Sequence, residues 1–405
     1  MSEDTHITDC CIVGAGPAGA MMALLLARQG VAVTLLEAHR DFNRAFRGNT
    51  INPAIMQVLA ELGLADRLLE LRHAKVRDFT VATDDGALCF ANFRRLRTAY
   101  PYVTMLPQEH FLAFILDEAQ RYPHFRLELG ASVEALLEDS GRIAGVRYRG
   151  PGGWNEIRAQ LTVGADGRFS RVRRLAGFEP VVTSPPMDVF WFTLPRRPDD
   201  PPDLGAHFYF GPRSLVVFMD HFDHWQVGYI IAKGSYPQLR AAGLPALRRT
   251  IAALAPQFAD RVDHLQDWRQ GALLSVASSH LPRWHRPGLL LIGDAAHVMS
   301  PVGGVGINCA IQDAVVAANV LAGPLRAGRV SARHLRAVQR RRQWPTRIVQ
   351  LVQGLTQRGV VASALQSTQP YRVPALVRLA LRMPLLRDVP AYLIAFTGWP
   401  VHVQP

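Results

Sequence analysis

The run Gly14-Ala15-Gly16-Pro17-Ala18-Gly19 constrains this chain more than any other feature, because of what flanks it. Residues 7–13 form a nearly unbroken apolar run that reads as a buried strand. Residues 20–28 read as a helix, and residues 31–37 as a second buried strand ending at Glu37. A strand, tight turn, helix and second strand within about thirty residues is the frame in which three glycines at this spacing acquire separate roles. Gly14 permits the bend, Gly16 lets backbone approach a pyrophosphate, and Gly19 lets helix and strand pack closely. The helix that Pro17 opens then offers its free N–H groups, that of Ala18 among them, and its positive end to phosphate. Glu37, with Ala38 beside it, stands where a carboxylate accepts from a ribose hydroxyl. Such a carboxylate repels a 2′-phosphate, so the bound nucleotide is expected to be FAD or NAD rather than NADP.

Two further turns share the pattern of a strand entering and a helix leaving. One is Val163-Gly164-Ala165-Asp166-Gly167-Arg168, continuing to Arg173. The other is Leu291-Ile292-Gly293-Asp294-Ala295-Ala296-His297, continuing through Pro301 to Gly303-Gly304-Val305-Gly306-Ile307-Asn308. Each presents backbone amides and one carboxylate to a ligand, an Asx-capped turn being the alternative reading of either taken alone. Helices are predicted over residues 52–62 and 108–121 and from about Val305. Strands are predicted over 125–129, 142–148, 157–163 and 289–292. Between Met187 and Ala232 the chain turns aromatic, with strand-like runs at 189–192, 207–210, 215–218 and 225–231, read as an antiparallel sheet. Trp191, Phe208, Phe210 and Trp225 are either its core or the lining of an apolar substrate pocket. His207, His221 and His224 lie in or beside this sheet and are read either as exposed strand-end histidines or as groups that act on a phenol proton, and no catalytic base is assigned. From Ser331 onward the pattern is of helices interrupted by Pro345, Pro370, Pro374, Pro384 and Pro390.

Taken together, the three turns resemble the para-hydroxybenzoate hydroxylase family of single-component FAD-dependent monooxygenases, over about residues 8–321. The resemblance implies an α/β fold: a Rossmann-like FAD-binding domain, an antiparallel-sheet substrate domain and C-terminal helices. On that pattern residues 1–75, 100–178 and 270–330 form a discontinuous FAD domain, 76–99 and 179–269 the substrate domain, and 331–405 a helical segment. It places Asp166 by the FAD pyrophosphate and Asp294, after Gly293, on the ribityl chain. The loop Pro301–Asn308 falls at the isoalloxazine edge, with Pro301, Gly304 and Gly306 as the flavin-loop candidates and Val305, Ile307 and Asn308 beside them. Arg47 matches the family arginine at the pyrophosphate, and Gln108 the glutamine beside the ribityl chain. The implied reaction uses NAD(P)H and O2 to hydroxylate an aromatic or polyketide-like molecule through a flavin C4a-hydroperoxide. The loop departs from the commoner pattern, which has Gln or Lys where Val305 precedes the last glycine and a larger or hydroxylated residue where Val302 follows Pro301. No second GxGxxG occurs, so the nicotinamide coenzyme is expected to bind transiently, and nothing selects NADH or NADPH.

Composition excludes other classes. The 405 residues are 49% apolar, enough for a large core. The four cysteines (10, 11, 89 and 309) have no metal-ligand spacing and no disulfide-scaffold density, so no metal is expected and the cytoplasm is the default location. No signal peptide or membrane span is evident. The net charge of +12 resides in one stretch: from Ala314 to Arg387 there are thirteen arginines and no Lys, Asp or Glu. With no nucleic-acid motif this reads as a solvated helical face, a peripheral anionic partner being the alternative. Two other readings stay open: a flavoprotein of the same scaffold that does not hydroxylate (epoxidase, halogenase or dehydrogenase), and a binding protein docking through the arginine-rich tail.

Overall fold

The computed structural model describes residues 5–42, 49–83, 86–200, 205–368, 372–384, 386–397 and 399–404. Its central strand is Thr5–Val13, in which Cys10, Cys11 and Ile12 are wholly buried because both faces of the sheet are covered. Gly153–Gly164 pairs parallel on one side and is flanked by parallel Leu289–Leu291. On the other side lie Val33–Glu37 and then Phe125–Leu129, both parallel. The first half of Gly153–Gly164 also turns into an antiparallel meander with Arg142–Gly150 and Ser132–Asp139.

The helix Pro17–Arg28 is apolar on nearly every side, and all residues from Ala18 to Ala27 are buried. A helix of that kind must be sandwiched, and it is held between the sheet, Gln108–Ala119 and the long helix Gly306–Arg326. Among the described residues, one stretch, Val302–Arg326, is long and apolar enough to cross a membrane, and 78% of its most apolar window is buried inside the protein.

A second sheet has seven strands in the order Gly271–Leu274, Met187–Pro195, His224–Ala232, Ser214–Asp220, Ala206–Gly211, Asp78–Thr83, Gly86–Asn92. The strands expected between residues 187 and 232 do pair antiparallel, and the sheet is extended at one edge by Asp78–Thr83, with which Ala206–Gly211 pairs parallel. Those two strands are more than a hundred residues apart in the chain, so no hairpin forces opposite directions. One face carries Phe190, Phe192, Phe218 and Trp225 and is covered by Leu244–Leu254 and the turn 256–264, with Phe258 stacked on Phe218 at 4.0 Å. The opposite face carries Val189, Trp191, Phe208 and Val217. It meets Val302 of the glycine-rich loop and, from the C-terminal segment, Val361 and Leu365.

Pro345 does not interrupt a helix as expected, because it lies inside Ala332–Thr356. The neighbouring Thr346 hydroxyl shares its proton between the carbonyls of Arg342 and Gln343 at 3.0 Å each, tying the turn around the proline to the helix that precedes it. The final helix, Val389–Phe396, returns to pack on Pro53–Glu61 and Gly86–Asn92. The tail then anchors to the first layer, with Val403 N–H donating to Glu61 at 2.8 Å.

Candidate functional site

Parallel register brings the three turns to one edge. Val13 lies opposite Gly164 on one side and Leu36 on the other, and Gly164 lies opposite Leu291, so each strand ends at the same level. Gly14 (φ +99°) leaves no room for a side chain: a Cβ there would lie 2.6 Å from Asp166 Cα. A Cβ on Gly19 would lie 1.9 Å from the Gly14 carbonyl oxygen, so helix and turn close only around a glycine. Gly16 is different, since a Cβ would meet nothing within 4 Å. Packing does not require that glycine, and its open side is where the start of Pro17–Arg28 faces outward. Gly293 (φ +59°) abuts the same helix, a Cβ there falling 3.1 Å from Ala18 Cβ.

Glu37 is buried at the end of its strand. One carboxylate oxygen accepts from Ala15 N–H at 3.0 Å, and the other from His39 N–H at 3.1 Å with His39 Nδ1 at 2.8 Å. It therefore braces the glycine turn, while Ala38 beside it is exposed. Asp166 also has a structural duty that corrects the expectation of a ligand-facing carboxylate. It accepts from Ser170 Oγ at 2.5 Å, Arg171 N–H at 2.6 Å and Val172 N–H at 3.0 Å, capping Arg171–Leu175.

Two anchors of the third turn lie outside its own motif. Arg173, 8% exposed, donates to the carbonyls of Arg168 (2.9 Å), Ala295 (3.1 Å) and Asp294 (3.5 Å), strapping the second turn to the third. Asp313, fully buried, accepts from Gly293 N–H at 3.0 Å and from Arg342 Nε at 2.8 Å, with His297 Nε2 at 2.5 Å. Burial alone would push its carboxyl upward; the adjoining His297 and Arg342 outweigh that and hold it below the ordinary range.

The loop after Pro301 is stitched to the strand Thr50–Ile51. Thr50 Oγ1 donates to the Gly304 carbonyl at 2.6 Å, and Gly304 (φ +63°) could carry no Cβ, which would lie 2.8 Å from that hydroxyl. Asn308, wholly buried, donates to the carbonyls of Thr50 and Gly304 at 3.1 Å each and accepts from Asn52 N–H at 2.8 Å. Val305 and Gly306 start the helix that carries Ile307, so the loop ends in amides without intrahelical partners. From the other side Gln353 donates to the carbonyls of Ser300 (2.9 Å) and Val302 (2.7 Å), Gln350 to Val298 (3.0 Å), and Gln357 to Ser300 Oγ. Arg47 lies outside the described residues. Gln108 opens its helix beside this region, its N–H donating to Asn49 Oδ1 at 3.4 Å.

The sheet separates the pocket candidates. Trp191, Phe208 and Phe210 share the face that meets Val302, and the Trp191 ring lies over Gly228, where a Cβ would fall 2.7 Å from it. Trp225 is corrected to core: it is wholly buried on the opposite face, edge-on to Phe258, its indole N–H donating to Asp200 at 2.9 Å. Of the three histidines, His221 is 2% exposed, stacked on His224 at 4.7 Å and within 3.0 Å of Gln226 Oε1. Burial and the neighbouring His224 push it down to about 4, so its ring is neutral near pH 7. Gln226 Oε1 also accepts from Asn49 Nδ2 at 3.2 Å, giving a line of polar contacts from His221 to Gln108.

An extended FAD fits what these residues provide. The open flank of Gly16 admits a pyrophosphate to the helix start, the second and third turns line the same edge, and a glycine loop with free helical amides faces the apolar sheet. Comparison with known proteins agrees. The FAD binding domain family matches residues 7–352. The 6-methylpretetramide 4-monooxygenase of Streptomyces rimosus is 35% identical over 387 residues, 95% of this chain and 90% of that one. Among solved structures, OxyS anhydrotetracycline hydroxylase from Streptomyces rimosus superposes with a TM-score of 0.76 at 23% identity, over 96% of this chain and 76% of the other. PqsL of P. aeruginosa in complex with 2-aminobenzoylacetate gives 0.77 at 24%, over 89% and 97%. At those identities the two structures speak for the fold.

Proposed function

The chain belongs to the FAD binding domain family, as an FAD-dependent monooxygenase of the aromatic-hydroxylase type, and from that premise we propose that it takes electrons from NADH or NADPH and inserts one atom of O2 into a polycyclic aromatic, polyketide-like molecule. The observation that carries this reading is the convergence of Gly16, Gly293 and the Gly304 loop on one edge that faces an apolar sheet. The polyketide class is supported by 35% identity, over nearly the whole chain, to an enzyme named for a tetracyclic substrate. Bound FAD supplies hydride acceptance and O2 activation.

The protein's own residues do the rest. The helix start at Val305–Ile307 stabilises negative charge at the loop through oriented amides. Thr50 and Asn308 fix the loop in its two left-handed glycine conformations, so those amides are held before reaction rather than ordered during it. Val302, Trp191 and Phe208 exclude water from the face where an aromatic ring would lie. Neutral His221, through Gln226 and Asn49, holds a defined proton arrangement at the rim of that face.

The test is direct. Purified protein should show a flavin spectrum, oxidise NADH or NADPH faster when tetracyclic polyphenols are added, and return one of them heavier by one 18O atom from 18O2. Stimulated coenzyme oxidation with no labelled product from any phenol or polyketide would refute the hydroxylase reading, while a preparation unable to take up FAD would refute the site.

A further inference from the structure

Away from the flavin edge, the segment 282–286 and the helix Ala332–Thr356 enclose an open cleft of about 540 Å³, within the size range of small-ligand sites. Its helical wall is one stripe: Arg336, Arg340 and Trp344 follow each other at four-residue spacing, with Gln339 between. Arg283 and His285, from the segment 282–286, complete the lining. Among the described residues, neither Arg283, Arg336 nor Arg340 is paired with a carboxylate, and no acidic residue occurs between Ala314 and Arg387. The positive field in the cleft is therefore uncompensated.

A second observation is independent of the arginines. His285 is 4% exposed and its buried Nδ1 has no hydrogen-bond partner among the described residues. Buried polar atoms are nearly always satisfied, so an unpartnered imidazole nitrogen in a residue that lines the cleft is a polar demand that the protein itself leaves unmet. Burial, with Arg283 and Arg336 adding to it, holds the imidazole below its ordinary value and so neutral, able to donate or accept at that nitrogen. Trp344 is 66% exposed at the mouth, a large aromatic face that no core contact explains.

Guanidinium forks match phosphate oxygens, and an open indole face stacks on a heterocyclic base. We propose that this cleft binds a phosphate-bearing nucleotide, its phosphate between Arg283, Arg336 and Arg340 and its base on Trp344. The site is separate from the edge that takes FAD and does not depend on the oxygenation reading. Its inner wall nevertheless touches that edge's support: Trp284 N–H donates to Gln339 at 3.0 Å, and the Trp284 ring lies 5.0 Å from His297, the partner of Asp313.

Calorimetric titration of the FAD-loaded protein with 2′,5′-ADP, ADP and inorganic phosphate tests the proposal. A nucleotide should bind more tightly than inorganic phosphate. R336A/R340A should weaken it by about tenfold per arginine, the scale of one charge-assisted contact. W344A should weaken the nucleotide but not phosphate, and R333A/R341A, removing the same charge from the helix outside the cleft, should leave binding unchanged. A preference for 2′,5′-ADP over ADP identifies a 2′-phosphorylated coenzyme as the source, and equal affinities identify an ordinary adenine nucleotide; both support the site. Nucleotides binding no better than phosphate, or binding R336A/R340A as well as the parent, overturn it. Because the variants are exposed positions and the flavin spectrum reports folding, neither result depends on turnover.

Discussion

Gly16→Ala separates folding from cofactor binding, because this glycine alone in its turn is not required by packing. Its backbone (φ −72°, ψ −178°) suits any residue, and a Cβ there meets nothing within 4 Å. Alanine is a poorer N-cap than glycine, at about 0.5 kcal/mol, and a similar gain from a less flexible unfolded chain offsets it. The thermal midpoint of the FAD-free protein should therefore shift by no more than about 1 °C. Binding should respond differently. A methyl on the open flank displaces the pyrophosphate from the helix amides, and losing one or two charge-assisted hydrogen bonds costs about 1.5–4 kcal/mol, a factor of roughly 10 to 1,000 in Kd. Gly14→Ala is the converse. Its φ of +99° and a 2.6 Å approach to Asp166 Cα make the substitution a folding defect of about 2–4 kcal/mol, visible without cofactor. The assay is quenching of FAD fluorescence on titration with apoprotein, beside melts with and without FAD. If Gly16→Ala binds FAD like the parent, the pyrophosphate does not lie against this turn and the placement of the whole cofactor is wrong.

Three further outcomes follow from the same geometry. Asp313→Asn leaves Arg342 without its buried partner and should lower stability by about 3–5 kcal/mol in urea unfolding, with FAD affinity falling as the Gly293 turn loosens. Asp200 is pushed up by burial but held down to about 2 by Arg261, the Trp225 indole and the Arg197 amide. Its folded value lies below the unfolded one, so its contribution is complete above about pH 4 and disappears as pH falls toward 2. The stability gap between parent and Asp200→Asn, at most about 2 kcal/mol at pH 7, should close over that interval. Finally, Trp225→Ala should destabilise by about 3–5 kcal/mol, whereas Trp191→Ala should mainly raise KM for the aromatic substrate at unchanged FAD content; equal effects of the two on KM would contradict the assignment of faces.

The parts of this molecule that were legible in its sequence are those a few adjacent residues decide. A left-handed or crowded backbone position demands glycine wherever it occurs, so Gly14, Gly19, Gly293 and Gly304 announce their turns without knowledge of the remainder. The strand Phe125–Leu129 and the start of the helix at Gln108 are local in the same sense. Alternation along residues 187–195 divides the aromatic residues into two sets, but both faces of this sheet are covered by apolar groups. Nothing in the pattern tells which set looks toward the glycine loop, and Trp225 falls with Phe218 and Phe258 only once the helix Leu244–Leu254 is in place. The supports of the third turn were illegible for a related reason. Arg173 and Arg342 are two of many arginines, and only packing across more than a hundred residues for one, and between two helices for the other, selects them from their solvated neighbours. Gln350 and Gln353 of the helix Ala332–Thr356, with Gln357 just past its end, make the same point. Their spacing puts them on one side, yet an amide stripe reads as solvent-facing until the carbonyls of Val298, Ser300 and Val302 are found beneath it. A helix docked through glutamines leaves its leucines outside, as Leu351 and Leu355 show at 58% and 59% exposure, so hydrophobic periodicity in this segment points away from the surface it packs on.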